Sequence, residues 1–289
     1  MPRYSGHFFD MKLHAIDTGL FKLDGGAMFG VVPKTMWNKL NTADENNLCT
    51  WAMRCLLVED GNKLILVDTG IGDKQSEKFF SHYHLHGDDS LKKSIKKLGY
   101  TFDDITDVVL THLHFDHVGG AVAFNEKKDG YRPVFKNAIY HSNEVHWHAA
   151  IKPNAREKAS FLKENFSPLL ESGQLNFLKE GSKLGTSMEF IFVNGHTDAQ
   201  MLPLITVGDK KVLYCADLAP SIHHLKPAWV LAYDIRPLDT MRERELYFNR
   251  AVDENWILMF EHDAYNECAT VKRTEKGVEI DQLFKVSDI

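Results

Sequence analysis

Short apolar runs of strand length recur along the chain, separated by turn residues and by stretches with helical periodicity. Residues 52–58 (AMRCLLV) and 64–67 (LILV) are two such runs. The EDGNK between them is turn chemistry, so they predict a hairpin. Further strands are expected at 108–110 (VVL), 134–140, 188–193, 201–207, 211–215 and 256–260 (WILMF), with a turn at Gly208-Asp209. Helices are expected at 91–98, 156–171 and 240–253. The strands fall into two groups with helices interspersed. Two facing sheets with helices packed outside would let every element bury one apolar face. The expected class is therefore α/β. No repeat, low-complexity stretch or linker divides residues 1–289, which predicts one domain.

Composition narrows the partners. The net charge of −6 lacks the basic footprint of nucleic-acid binding, so no nucleic-acid partner is expected. The basic run SLKKSIKKLG reads as the solvated face of a helix ending at Gly99. No stretch reaches the roughly 18 consecutive apolar residues of a membrane span, so no membrane partner is expected either. The opening MPRYSGHFFDMKLH lacks a basic-then-apolar leader pattern, which makes a cytoplasmic location the expectation. Cys49, Cys55, Cys215 and Cys268 are scattered and predict free thiols.

Histidine changes the picture: there are 15, and they cluster. Thr-His-Leu-His-Phe-Asp-His-Val-Gly-Gly at 111–120 places His112, His114, Asp116 and His117 directly after the VVL strand. A strand end is a rigid platform, and the loop after it can curl its side chains inward. Imidazole nitrogens with a carboxylate suit Zn²⁺, Fe or Mn. Gly119 and Gly120 are expected to let the backbone turn tightly. Three more apolar runs end on possible ligands: His196 after 188–193, Asp217 after 211–215, and His262 after 256–260.

With Leu66-Val67-Asp68-Thr69-Gly70, the HxHxDH block, Gly-His-Thr at 195–197, Asp217 and His262, the chain closely resembles the metallo-β-lactamase superfamily. The resemblance spans about residues 52–262 and implies a four-layer αββα sandwich with two divalent metal ions at one edge of the sheets. It implies one metal held by His112, His114 and His196, a second held by Asp116, His117 and His262, and Asp217 bridging them. Asp68 would orient a ligating histidine by accepting its other ring N–H. Residues 23–33 (LDGGAMFGVVP) and 228–234 (AWVLAYD) are similar to the quorum-quenching lactonase group, especially its YtnP-like branch.

The implied activity is hydrolysis of a small-molecule lactone, of the N-acyl homoserine lactone kind, or of an ester, by a hydroxide that the two metals share. Zinc is the expected metal, with iron and manganese as alternatives. Asp116 is expected to handle a proton as well as a metal. The lactonases of this group carry a tyrosine three residues after the bridging aspartate, and here that position is Pro220. His224 is the expected substitute, with His223 and Tyr233 as alternatives. Met28, Phe29, Trp37 and Trp51 are expected to fold over the site as part of a covering segment, residues 1–50, and Trp229 and Tyr233 to form the opposite wall. A homodimer is common in the group and is the assembly to test. A phosphotriesterase on the same site, or an iron-dependent oxidoreductase such as a thiol dioxygenase, would share this frame. His82, His84 and His86 in HYHLH read as a polar excursion, and His146 and His148, two apart on a helix, do not share a face.

Overall fold

The computed structural model describes residues 11–289. The first sheet contains β1 (Lys12–Asp24), β2 (Leu48–Asp60), β3 (Lys63–Val67) and β4 (Asp107–Val109). A separate ribbon of β5 (Val122–Phe124) and β6 (Tyr131–Pro133) follows, and β7 (Ile139–Ser142) and β8 (Leu175–Phe177) complete the sheet in the order β1-β2-β3-β4-β7-β8. The second sheet contains β9 (Lys183–Leu184), β10 (Met188–Val193), β11 (Gln200–Val207), β12 (Lys210–Tyr214), β13 (Trp256–Met259), β14 (Cys268–Thr274) and β15 (Gly277–Phe284), in the order β15-β14-β13-β12-β11-β10-β9.

Side chains on a strand alternate between faces, and here the alternation builds the layers. Leu56, Val58, Ile65, Val67 and Val109 share a core with Val212, Tyr214 and Met259 of the second sheet. Their neighbours Cys55, Leu57, Leu64, Leu66 and Val108 face outward, where Ile95 of helix Leu91–Lys97 and Trp147 of helix Glu144–Ile151 cover them. Phe248 and Ala251 of helix Pro237–Asp253 pack on the second sheet. Helices, two sheets and a helix thus form the expected αββα layers.

The expected hairpin forms, pairing Leu56 with Val67 and Asp60 with Lys63. Other expectations need correction. Of the strand expected at 134–140, only residues from Ile139 onward are extended. Phe135 is buried by a turn instead, its N–H donated to the Tyr140 hydroxyl at 2.9 Å. The helix expected over 156–171 is confined to Ser167–Glu171, preceded by one 3₁₀ turn. Asn154 Oδ1 accepts the N–H groups of Arg156 (2.9 Å) and Glu157 (3.1 Å), a local alternative to helix. Strands β1, β14 and β15 were not legible in the apolar pattern. Polar residues interrupt β1, whose register shifts between Asp17 and Leu20, and much of β15 is solvent-exposed.

The topology also places the site. β3 runs parallel to β4, and β12 runs parallel to β13. Parallel neighbours end at the same edge, so Asp68 and the 111–117 loop emerge together in one sheet, and Asp217 and His262 in the other. No helix among the described residues is long and apolar enough to cross a membrane.

Candidate metal centre

All seven expected ligands converge at the mouth between the sheets, and all are buried. His112, His114, His196 and Asp217 offer donor atoms within 4.8 Å of one another, as do Asp116, His117 and His262. His196 Nε2 lies 3.2 Å from His114 Nδ1 and 3.0 Å from Asp217 Oδ2. His262 Nε2 lies 3.2 Å from His117 Nε2 and 3.1 Å from Asp217 Oδ1. Asp116 Oδ2 is 3.8 Å from both His117 Nε2 and His262 Nε2. The shortest contacts of the two Asp217 oxygens thus go to different histidine sets, Oδ2 to His196 and Oδ1 to His262, with His117 Nε2 3.6 Å from Oδ2.

Buried polar atoms are nearly always hydrogen-bonded. Here His112 Nε2 and Asp217 Oδ1 are buried and have no hydrogen-bond partner. Unpaired lone-pair atoms converging from imidazole and carboxylate are what divalent metals require, so these His/Asp clusters fit two metal ions. The electrostatics divide the ligands: burial works against the charged imidazoles, but Asp217 outweighs it and lifts His196 to about 10 and His262 to about 9, so an ion binding there displaces protons. Burial alone would raise the Asp217 pKa, but His196, His117 and His262 outweigh it and hold the group well below the usual carboxylate range. Burial and the neighbouring His117 and His114 push His112 well below its ordinary value, which keeps a nitrogen lone pair free.

The far side of four of the five imidazoles faces a carboxylate or main-chain carbonyl of the protein. His196 Nδ1 meets Asp234 Oδ1 at 2.9 Å. His114 Nε2 has Glu157 Oε1 at 3.5 Å, and Glu157 also takes bonds from Thr197 Oγ1 and Asn154 Nδ2. Burial works against the Glu157 charge, but these partners outweigh it and bring its pKa to about 2. His117 Nδ1 lies 3.1 Å from Asp68 Oδ2 and 3.1 Å from Glu261 Oε2. His262 Nδ1 meets the Ala52 carbonyl at 2.7 Å. Such contacts fix ring orientation and tautomer.

Asp68 also accepts the Thr111 N–H (2.8 Å) and hydroxyl (2.7 Å), which ties β3 to the ligand loop. Its backbone has φ +58, a left-handed conformation that non-glycine residues adopt at a cost. Buried His146 links two ligand loops: Nε2 accepts the Leu113 N–H at 2.8 Å and Nδ1 faces the Asp198 carbonyl at 2.6 Å. Arg54, buried on β2, donates to the carbonyls of Phe260 (3.0 Å) and Asp263 (2.9 Å) on either side of His262. The reason for Gly119 differs from the tight turn expected. Its φ is an ordinary −58°, but a Cβ there would sit 2.0 Å from the Ile71 carbonyl oxygen.

A cavity of about 350 Å³ opens onto the centre. Leu23, Met28, Phe115 and Leu231 supply apolar wall, and Tyr83, Tyr233, Arg156 and Glu157 supply polar groups. His224, expected at the substrate, does not line this cavity. Its Nδ1 bonds Ser221 Oγ (2.8 Å), its Nε2 faces the Met28 carbonyl (2.9 Å), and its ring stacks on Phe29. It supports the wall from behind and has no ring nitrogen free for a substrate. Phe29, Trp37, Trp51 and Trp229 form a core behind Met28 rather than facing the centre. Of the residues 1–50 expected to cover the site, Leu23 and Met28 line this cavity, and residues 1–10 lie outside the described residues. His82, His84 and His86 join no potential metal-holding group among the described residues. Glu157, Asp234, Glu261 and His146 were missed as site residues; an acidic residue beside a ligand, as in Glu261-His262, was the one available signal.

A fold and centre of this kind define a class, and comparison with known proteins identifies it. The metallo-β-lactamase superfamily profile matches residues 54–258, and the chain belongs to that superfamily. Among solved structures it is similar to a probable metal-dependent hydrolase from Staphylococcus aureus, with TM-score 0.86 and 28% identity, covering 96% of this chain and 97% of that one. The fold is also that of AidC, a dizinc quorum-quenching lactonase in complex with a product, with TM-score 0.76 and 22% identity over 94% of each chain. An N-acyl homoserine lactonase of Bacillus thuringiensis is 35% identical over 88 residues, 27% of this chain and 34% of that protein. The chain spans 66% of the length of the probable metallo-hydrolases of Mycobacterium that it matches at 28% identity.

Proposed function

We propose that this protein is a metal-dependent hydrolase with a dinuclear zinc centre that opens lactones of the N-acyl homoserine lactone kind or cleaves related esters. The observation that carries the reading is Asp217, whose two oxygens face the two histidine sets at 3.0 and 3.1 Å. A donor set of imidazoles and carboxylates suits zinc. When bound, two such ions supply a hydroxide nucleophile at neutral pH and polarise a carbonyl.

The chain's own residues do the rest. His112, His114 and His196 would hold one ion, Asp116, His117 and His262 the other, and Asp217 both. Asp116 also lines the cavity, where it can take a proton from the nucleophile and return it to the leaving alkoxide. Burial and Asp116 push the Tyr83 phenol up to about 12, and burial with Asp116 raises Tyr233 as well. Both phenols stay protonated at neutral pH and can donate to a substrate carbonyl. Tyr233 takes the donor role first expected of His224, because it faces the cavity. Leu23, Met28 and Leu231 offer apolar surface for an acyl chain. The likeness to lactonases in sequence and fold supports the substrate class.

The test is elemental analysis of purified protein, paired with a lactone ring-opening assay before and after chelation. About two zinc ions per chain, with activity lost on chelation and restored by zinc, is the expected result. One iron per chain without ring opening would overturn the reading.

A further inference from the structure

Helix Pro237–Asp253 buries Thr240, Arg244, Phe248 and Ala251, a stripe at the i, i+4, i+8, i+11 spacing of one helix face. A guanidinium in that stripe is the anomaly. Arg244 is only 1% exposed. A buried cation is tolerated when its donors are met by well-placed acceptors. Arg244 Nε donates to the Leu218 carbonyl at 2.6 Å and Nη1 donates to the Trp229 carbonyl at 2.8 Å, while Nη2 is buried without a hydrogen-bond partner.

Those two carbonyls belong to segments that build the centre. Leu218 follows Asp217 directly. Trp229 opens the segment carrying Leu231 and Tyr233 of the cavity wall and Asp234, which backs His196. Asp217 sits on the 3₁₀ turn Ala216–Leu218, whose first residue, Ala216, has the left-handed φ +41 that non-glycine residues adopt at a cost. Asp234 and Asp217 supply the compensating negative charge near the guanidinium. Arg54 is a parallel case, gripping carbonyls on both sides of His262 from the other sheet.

We propose that Arg244 is a positioning residue for the metal centre, its planar fork fixing the Asp217 turn against the Trp229–Asp234 segment so that bridging ligand, His196 support and cavity wall keep one mutual geometry. The inference rests on the reading of Asp217 as the shared ligand. It assigns the effect to the shape of the fork. A lysine retains the charge and loses the two-pronged grip, and a methionine loses both.

The experiment compares Arg244→Lys, Arg244→Met and a control one turn along the same helix, Phe248→Leu, which loosens packing without touching the clamp. Zinc retention is measured by chelator competition without substrate, alongside melting temperature. Hydrogen exchange of segments 216–220 and 228–234 is followed in the metal-free proteins. Arg244→Met should lose zinc retention about tenfold or more, and Arg244→Lys several-fold, while Phe248→Leu should retain zinc like wild type despite a lowered melting temperature. Both segments should exchange faster in the Arg244 variants alone. If Arg244→Met does not fold, Arg244→Lys decides the question by itself. Wild-type retention in Arg244→Lys, or equal losses in Arg244→Met and Phe248→Leu, overturns the proposal. Because no readout needs a substrate, failure of the lactone assay would refute the substrate class and leave this result standing. Should wild-type protein hold no metal, the dinuclear reading falls and the exchange of the two segments decides whether Arg244 is a clamp.

Discussion

In one half of the centre, His114 and His196 are backed by carboxylates that arrive on irregular segments, Glu157 and Asp234. In the other half, His262 is backed by a main-chain carbonyl of β2, and His117 by Asp68, directly after β3, and Glu261, two residues past the end of β13. The second half is thus part of the scaffold, and the first is assembled from loops that also line the cavity. A change of substrate preference can reshape the first half without disturbing the sheets, whereas the second half is bound up with folding. Asp217 couples the two.

The largest effect should come from the coupling residue. Asp217→Asn removes one charge shared by both histidine sets, so both metals should bind more weakly. The activity loss should exceed the roughly 10–100-fold that losing a backing group causes. Stepwise metal titration checks this, and two ions retained at wild-type affinity would show that Asp217 does not bridge. Next comes Asp68→Asn, in the scaffolded half. It weakens three contacts, to Thr111 N, Thr111 Oγ1 and His117 Nδ1. One ion should be lost about 10–100-fold more readily, with a lower melting temperature as well. Glu157→Gln, in the loop-built half, should be milder, about tenfold on one ion, with a smaller fall in melting temperature than Asp68→Asn. If Asp68→Asn and Glu157→Gln lowered stability equally, the distinction between scaffold and loop would fail.

The same division explains what the sequence revealed. His112, His114, Asp116 and His117 were legible because one short loop holds them all, and His196, Asp217 and His262 because each ends an apolar strand. Those are local signals. Glu157 was hidden inside a stretch that reads as helix, and its role depends on the Asn154 turn that swings it inward. Asp234, His146 and Arg244 act on segments far away in sequence, so no local pattern marks them. His224 misled for the same reason: its distance from Pro220 is short in sequence, but the 3₁₀ turn Ile222–Leu225 directs its ring into the Phe29 core. The layers followed from alternation along β2, β3 and β4. Strands β1 and β15 did not, because edge strands half-open to solvent carry no clean period, nor did β14, whose second half, beside β15, is largely exposed.

The smallest effect is expected from a carboxylate–imidazole pair that backs no metal ligand. Asp107 Oδ1 lies 2.8 Å from His141 Nε2, and Asp107 Oδ2 accepts from Lys63 at 2.7 Å and Thr106 at 2.7 Å. Burial would raise the Asp107 pKa, but His141, Lys63 and Thr106 outweigh it and set it at about 2. The unfolded value is about 3.9. Between these values the unfolded chain binds more protons than the folded one, so stability should rise with pH from about 2 to about 4. The contribution is fully present above that window and is lost as pH falls through the folded pKa. Asp107→Asn should flatten this part of the acid denaturation profile of metal-free protein, while zinc content at neutral pH stays at the wild-type level. An unchanged acid slope would mean that the pair contributes nothing to folding. A loss of zinc would mean that the geometry at the start of β4, only five residues before His112, reaches the centre through the backbone as well as through the carboxylates behind its histidines.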